Sequence, residues 1–513
     1  MIKLDGGASL HAFSYVISFF YFIHNSVHFL YERVVEMDFK KLQHYDIVVV
    51  GAGTAGIPAA IAAARSGCKT LLVEKRAALG GMMTSGMPAL GFLDRQLNHV
   101  VGGIPQEMAD ELQEMGAGFG NLRCPIHNSI TTSSPWWYRI LAAKKCTDAG
   151  VDVLMNTDLL DVRVINGKVT GATLLSGTYT YDVDCSVLID ATGDAAAAYM
   201  AGANYDMGQP EDLESTIQKE AAKETRYDIG HSRAGKVQPV SITFCLGNVN
   251  TEKFMAYIKE HPETYKSPEG YGMHYDQDYL FNSPAVYFTG FGEFIEEAKK
   301  NGDFDILRDR VIFATQPNKG EYMINATRVI DVDPTDPVEM SKAELECYRQ
   351  VGMLTQFFKK YCPGFEDCFL ANIGMYTGVR ESRRINGLRT VTQSDIEKLL
   401  IPEDCIALGG YNCDIHLSGV GLYFQPVDHA VGVPYGAMVS NNIDGLLVTG
   451  RCISVDSYAL AVLRVMGACL ALGEAAGTAA AIAVKDNVRI ADVDVKKLQR
   501  TLVDNGAIIS IPK

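Results

Sequence analysis

The chain has 12 cysteines in 513 residues, yet no two stand as Cys-x-x-Cys. The nearest pair, Cys362 and Cys368, is separated by five residues. That spacing lacks the signature of a thioredoxin-type redox pair, a zinc ribbon or a clustered iron–sulfur site. No metal site is expected. Scattered thiols in a long chain point to free, mostly buried cysteines in a reducing compartment, the cytoplasm. Cations are also in short supply: 46 Lys and Arg face 61 Asp and Glu, for a net charge of -15. This argues against a nucleic-acid partner, because phosphate neutralisation needs clustered Lys and Arg. Tryptophan occurs twice, at Trp136 and Trp137, and is expected in packing rather than as a substrate platform. Low-complexity tracts and solenoid-period repeats are missing. The charge-free stretch Gly6 to Tyr31 comes nearest to a membrane span. Its apolar run, Tyr15 to Ile23, is broken by Ser18 and followed by His24, Asn25 and Ser26. That falls short of the roughly 20 apolar residues a span needs, and membrane association is not expected. A basic start and a small-residue cleavage site, as in a signal peptide, are missing too. Residues 1–40 are expected to be an extension outside the functional domain, with Met37 placed as a cytoplasmic start.

What is present begins with a buried strand, Tyr45 to Val50, then Gly51-Ala52-Gly53-Thr54-Ala55-Gly56, then an Ala-rich helix, Ile57 to Arg65. Ser66-Gly67 ends that helix, and Thr70 to Glu74 reads as a second strand. This is one right-handed βαβ unit. In such a loop the first Gly makes the turn, the second admits a pyrophosphate and the third lets helix and strand pack. The helix N-terminus offers unpaired N–H groups to phosphate. Glu74, followed by Lys75, lies at the spacing where an acid bonds a ribose hydroxyl, which disfavours the 2′-phosphate of NADP.

Further along, Pro135 to Gly150 reads as a helix with Trp136, Ile140, Leu141 and Cys146 on one face. Short strands follow at Val151 to Met155, Leu159 to Ile165 and Val169 to Leu175, the last two joined by an Asn166-Gly167 hairpin turn. Tyr179 to Cys185 and Ser186 to Asp190 read as two more, ending in Ala191-Thr192-Gly193-Asp194. The polar stretch Gly208 to Val237 reads as a boundary. Pro239 to about Cys413 is mixed. From Ile443 the first pattern returns, with a strand at Gly445 to Gly450 and a small-residue helix at Val465 to Val484. The expected fold is α/β: a Rossmann-like FAD/NAD(P)-binding domain, with a parallel sheet plus a small antiparallel sheet, and an inserted α+β substrate domain. The expected division is 41–207 and 436–486 for the nucleotide domain, 208–435 for the substrate or cap domain, and 487–513 for a tail.

The glycine loop alone does not separate NAD from FAD. Three further pieces favour FAD. Leu79-Gly80-Gly81-Met82 clears side chains where a longer dinucleotide passes. Ala191 to Asp194 presents a strand end to the same ligand. Thr449-Gly450-Arg451 and Val465-Met466-Gly467-Ala468 close the domain, with a helix aimed to favour negative charge on a reduced flavin.

Together these pieces resemble the glutathione-reductase-type FAD fold. They are most similar to the FAD-dependent oxidoreductase family that includes the flavin domain of the heterodisulfide reductase A subunit. The matching stretches are Asp46 to Lys75, Leu79 to Gly86, Val187 to Ala195, Gly378 to Leu388 and Gly445 to Ala481. The resemblance implies noncovalent FAD. It places Gly51, Gly53, Ala55 and Gly56 at the pyrophosphate, Glu74 and Lys75 at the adenosine ribose, and Leu159 at the adenine through its backbone. It sets Gly81 and Met82 along the ligand. Thr192, Gly193, Asp194, Gly450 and Arg451 fall near the ribityl–phosphate region, and Gly467 and Ala468 near the pyrimidine edge. The clustered iron–sulfur cysteines of that relative are missing, which argues against an electron-bifurcating role.

At the reacting centre the flavin exchanges a hydride, and the protein holds substrate and moves a proton. Gly378 to Arg384 offers Arg380 and Arg384 as a carboxylate or phosphate clamp, or as an interdomain salt-bridge network. Asp414 and His416 offer an oriented proton shuttle. Tyr435 is a weaker acid candidate. The leading function is a flavin dehydrogenase or reductase acting on a small molecule. No second glycine loop follows a strand, so NAD(P)H would visit only transiently, as would a redox-partner protein. A flavin-carrying electron-transfer subunit and a flavin monooxygenase are the alternatives; the Trp-x-Trp-x-Ile-Pro halogenase pattern is missing. Self-association is left open.

Overall fold

The computed structural model describes residues 39–41, 44–208, 237–265, 275–416 and 422–511. Residues 1–38 of the expected N-terminal extension and nearly all of the polar 208–237 boundary lie outside the described residues.

Tyr45–Val50 is rich in β-branched residues and almost wholly buried, as suits a strand covered on both faces. It lies between Thr70–Val73 and Tyr179–Asp190, parallel to both. Asp152–Leu154 extends the sheet beyond Thr70–Val73, and Leu446–Val448 flanks Tyr179–Asp190, again in parallel. A strand from late in the sequence therefore completes the sheet begun at residue 45. Tyr179–Asp190 is one continuous strand, not the two expected. Its first half pairs antiparallel with Lys168–Ser176 and its second half joins the parallel sheet. No Gly or Pro interrupts the run, so nothing breaks it at Cys185. The hairpin at Asn166-Gly167 forms as expected, with both residues at positive φ (52° and 75°), as a tight primed turn demands.

The small-residue helix Met466–Asp486 packs on Gly56–Arg65. A Cβ on Gly473 would lie 2.1 Å from Ala55 O, and one on Gly477 would lie 2.0 Å from Ala59 O. Two glycines four residues apart thus let the helix backbones touch, and this clamps the late segment to the first glycine loop. By length and hydropathy the helix could cross a membrane, but 89% of its apolar window is buried inside the protein.

The second sheet is antiparallel, in the order Tyr287–Gly290, Val311–Thr315, Tyr322–Ile324, Phe244–Gly247, Phe369–Ile373. The helix Pro337–Tyr361 covers it over an aromatic core that includes Phe254, Phe288, Phe313 and Phe358. Part of the segment expected as the insertion shares the core of the nucleotide domain. Val391, Ile396, Cys405 to Leu408 and Val427 to Val439 pack in the same core as the glycine-loop helices. The expected tail also differs: Val495–Asp504 is a helix, Leu498 and Leu502 pack in that core, and Gly103 N donates to Gly506 O at 2.8 Å.

The helix Pro135–Asp148 buries Leu141 and Cys146 of the expected face but not Trp136 and Ile140. Tyr138, Leu141, Ala142 and Cys146 are buried, at the spacing of one helical stripe. Trp136, Trp137 and Ile140 are about half exposed, and the Arg139 guanidinium lies over the Trp136 ring. All twelve cysteines are buried and free.

Candidate active site

The glycine turns meet at the carboxyl ends of the parallel strands, where open α/β sheets bind ligands. Gly51 has φ 97°, and a Cβ there would lie 2.6 Å from Ala191 O. A Cβ on Gly56 would lie 1.7 Å from Gly51 O, so this glycine seats the helix on the strand. Gly53 differs. Around its added Cβ the nearest protein atom is Gly81 Cα, at 4.0 Å. Nothing in the fold requires glycine at Gly53, and its bare backbone leaves open room above the loop. The Gly80-Gly81 turn folds back over that loop, with Gly80 N donating to Ala52 O at 2.8 Å. A Cβ on Gly450 would lie 3.2 Å from that of Ala55, so the last turn adjoins the first. The helix Gly56–Arg65 has no side-chain N-cap bond and no acid in its first turn. Ile57 N and Ala59 N already donate to Gly53 O and Ala55 O and Pro58 has no N–H, so this end offers an anion chiefly the positive pole of the helix.

Glu74 is buried behind the loop. It accepts from Ala52 N at 2.8 Å and Arg76 N at 3.0 Å, and burial raises its pKa. Each carboxylate oxygen keeps a second lone pair. Lys75 is exposed. Leu159 stands in the antiparallel ladder opposite Leu174, two residues beyond Thr157, whose N–H donates to Glu74 O. The Ala191 to Asp194 turn is organised by a residue the sequence reading passed over. The buried Asp190 carboxylate accepts from Thr192 N, Thr192 Oγ1 and Ala198 N. The Thr192 hydroxyl in turn accepts from Ala196 N, so it is spent on the turn. Asp194 pairs with Arg451 at 2.6 Å. Ser382 accepts from Arg451 and donates to Gly193 O, which docks the Gly378 to Arg384 segment on this turn. Gly467 is a packing glycine: its Cβ would lie 2.7 Å from Leu90 O. Ala468 is wholly buried in the second core.

Beside this cradle lies a cavity of about 180 Å³. Met82, Arg451, Val465 and Met466 bound it on the cradle side, and Thr289, Ile312 and Asn325 of the second sheet bound it opposite. Arg380, Asp414, His416 and Arg464 form its charged end. Asp414 and His416 stand two apart on the strand Cys413–His416, which puts them on one face. His416 Nε2 lies 3.3 Å from Asp414 Oδ1, and its Nδ1 lies 3.5 Å from Arg328 Nη1. Burial, reinforced by Arg380 and Arg328, drives the His416 pKa well below its usual range, so the imidazole is neutral. Burial opposes the Asp414 charge, but the Arg464 and Arg380 cations, with the neutral His416 ring beside it as a hydrogen-bonding neighbour, outweigh it and hold the carboxyl ionised.

Two expected candidates do not join this group. Arg384 is saturated: it pairs with Glu381 at 2.6 Å and donates to Val455 O and Gly208 O. The salt-bridge alternative thus holds for Arg384, while Arg380, four residues earlier, faces the cavity. Tyr435 is buried in the core beneath, and its hydroxyl donates to Ile490 O at 2.7 Å.

The sequence pattern of the family described as FAD dependent oxidoreductase matches residues 46–502. The chain belongs to that family. Curated relatives include tRNA uridine 5-carboxymethylaminomethyl modification enzymes. The one from Endomicrobium trichonymphae is 29% identical over 29% of this chain and 25% of its own length. The one from Streptococcus agalactiae is 22% identical over 48% and 38%. The chain thus spans well under half the length of these relatives. Similar solved structures include a geranylgeranyl bacteriochlorophyll reductase-like protein from Thermoplasma acidophilum, at 14% identity and TM-score 0.41 over 91% of this chain and 85% of that one. Another is p-nitrophenol 4-monooxygenase from Pseudomonas putida, at 10% identity and TM-score 0.44 over 91% and 84%. Membership carries the cofactor, FAD, and the class, an oxidoreductase. The likeness to the heterodisulfide reductase subunit rests on the sequence motifs alone.

The oxidoreductase's own residues fit this cofactor. The open space over Gly53, the uncapped helix and the buried Glu74 form a cradle for a dinucleotide. Its sequence hid several cavity residues. His127 comes from the turn before Asn128–Ser133, and burial pushes its pKa down to about 4. Arg464 reaches Asp414 from just before the last long helix. Thr289 Oγ1 and Asn325 Oδ1 are buried without a hydrogen-bond partner among the described residues. No local motif marks these positions, because each is brought in by a different element.

Proposed function

We propose that this FAD-dependent oxidoreductase transfers a hydride between flavin and a small organic substrate held in the 180 Å³ cavity. One observation carries the reading: the cavity shares Met82, Arg451 and Met466 with the cofactor cradle and ends on the buried Asp414–His416 pair. FAD, when bound, supplies the hydride chemistry. The protein's residues do the rest. Met82, Met87, Leu90, Val465 and Phe424 line the cavity with apolar surface and exclude water. Asp414 orients the neutral His416, whose ring is placed to hold or pass a proton at the cavity's polar end. The N-terminus of Met466–Asp486 has no side-chain cap and no acid in its first turn, so it favours negative charge beside it.

The test is anaerobic photoreduction of the yellow holoprotein, followed by reoxidation with enoates, quinones and oxygen. We expect one organic acceptor to reoxidise it far faster than buffer. If no candidate outpaces buffer, the small-molecule reading fails. If only oxygen does so, an oxygen-reacting flavoenzyme, oxidase or monooxygenase, replaces it.

A further inference from the structure

Four arginines line the cavity, Arg310, Arg380, Arg451 and Arg464, against a single lining carboxylate, Asp414. Arg308 and Arg328 stand close behind, near enough to perturb the charges of Arg380 and His416. Most of the lining arginines have their own counter-ion. Arg310 pairs with Asp309, Arg451 with Asp194, and Arg464 with Asp414. Arg380 has no such carboxylate among the described residues. Its Nη1 donates to two neutral acceptors, Pro239 O at 2.6 Å and Ser241 Oγ at 2.7 Å. Burial, then repulsion from Arg464 and Arg308, presses its pKa down to about 9. It remains a cation at neutral pH, held in a site with an excess of positive charge.

The two protein bonds hold one end of the guanidinium and fix its plane. Nε and Nη2, on the other edge, form the fork that a carboxylate accepts in two parallel bonds. A fixed fork loses little freedom on binding. Arg380 lies in the same cavity as the apolar wall of Met82, Met87, Leu90 and Phe424. A ligand with one anionic end and an apolar body satisfies both parts.

We infer that the substrate is a small organic acid with an apolar body, anchored by its carboxylate on Arg380 Nε and Nη2. This rests on the reading of the cavity as the substrate site. Desolvating an unpaired cation is costly, and an arriving carboxylate removes that cost. A neutral amide of the same shape does not, and one of its two positions would set N–H against N–H.

The experiment uses oxidised, FAD-loaded protein, so that binding is read without turnover. Crotonate and benzoate are compared with crotonamide and benzamide by perturbation of the flavin absorbance and by calorimetry. We expect the acids to bind at least about tenfold more tightly than the amides, about 1.4 kcal/mol. Arg380→Gln should abolish that preference while keeping its flavin, and Arg380→Lys should retain part of it. Arg349→Gln, at an exposed arginine outside the cavity, should bind as wild type does. Amides binding as tightly as acids would overturn the inference, as would failure of the acids to bind. It is also overturned if Arg380→Gln loses FAD yet, once reconstituted, binds the acids normally, since the arginine then serves the cofactor. The wild-type comparison stands even if the Gln variant does not fold. Fast reoxidation by neutral acceptors, with no preference for acids, would sink the carboxylate and leave the oxidoreductase reading intact.

Discussion

Glu474 sits mid-way along Met466–Asp486 with 1% of its surface exposed. One carboxylate oxygen accepts from Ile104 N at 2.9 Å, at the start of the helix Gly103–Glu114. The other has no hydrogen-bond partner among the described residues. The side chain thus caps a neighbouring helix that begins with no cap of its own. The geometry is close: a Cβ on Gly103 would lie 2.3 Å from Oε2. Burial raises the Glu474 pKa from the ordinary 4.5 to about 7, only partly offset by the Ile104 bond and Arg65. A rise of this size corresponds to roughly 3 kcal/mol between the two protonation states. The folded form binds the proton more tightly than the unfolded form does. The associated stability is therefore complete below about pH 4.5 and is lost as pH rises through about 7. Glu474→Gln fixes the neutral form and keeps an oxygen for Ile104 N. We expect it to match wild type most closely at pH 4, below the unfolded pKa, and to exceed it at pH 8 by up to roughly 3 kcal/mol. Thermal unfolding of both FAD-loaded proteins from pH 4 to 8 measures this, and the difference between them cancels every other titrating group. Parallel curves, or a Gln variant less stable at pH 8, would refute the assignment of a buried, reluctantly ionised carboxylate.

Two neighbouring glycines should respond in opposite ways. Gly53→Ala meets no protein atom closer than 4.0 Å and should fold normally but lose FAD, read as flavin absorbance after dialysis. Gly56→Ala forces a Cβ to 1.7 Å from Gly51 O and should lower the melting temperature, with overpacking typically costing about 1–3 kcal/mol or more. Tyr435→Phe removes one buried hydrogen bond, to Ile490 O, and should cost about 1 kcal/mol of stability while leaving turnover unchanged. A large fall in turnover in that variant would return Tyr435 to the active site.

The nucleotide-binding half was legible because its determinants are local. A glycine loop between a β-branched strand and an Ala-rich helix, an Asn-Gly turn and a run of small residues each specify a conformation within a dozen residues. The joining of residues 446–486 to residues 45–73 was legible too, since a strand and helix of matching character recur there. The edges of the insertion were not. Val391 to Val439 has no composition of its own and takes its place from the core it happens to pack against. The inward face of Pro135–Asp148 was partly misjudged because Trp136 and Ile140 are apolar, and apolar residues still make up much of any surface.

The sequence by itself pointed to FAD, through several separated motifs taken together, and determined that Asp414 and His416 share a strand face, because side chains two apart on a strand point the same way. Only the tertiary structure decided that Arg380 faces the cavity while Arg384 is spent on Glu381. It alone brought His127, Asn325 and Arg464 around the same space. The cavity residues His127, Asn325, Arg380 and Arg464 come from positions tens to hundreds apart. The charge balance of such a site is set by packing between elements, which no local pattern encodes.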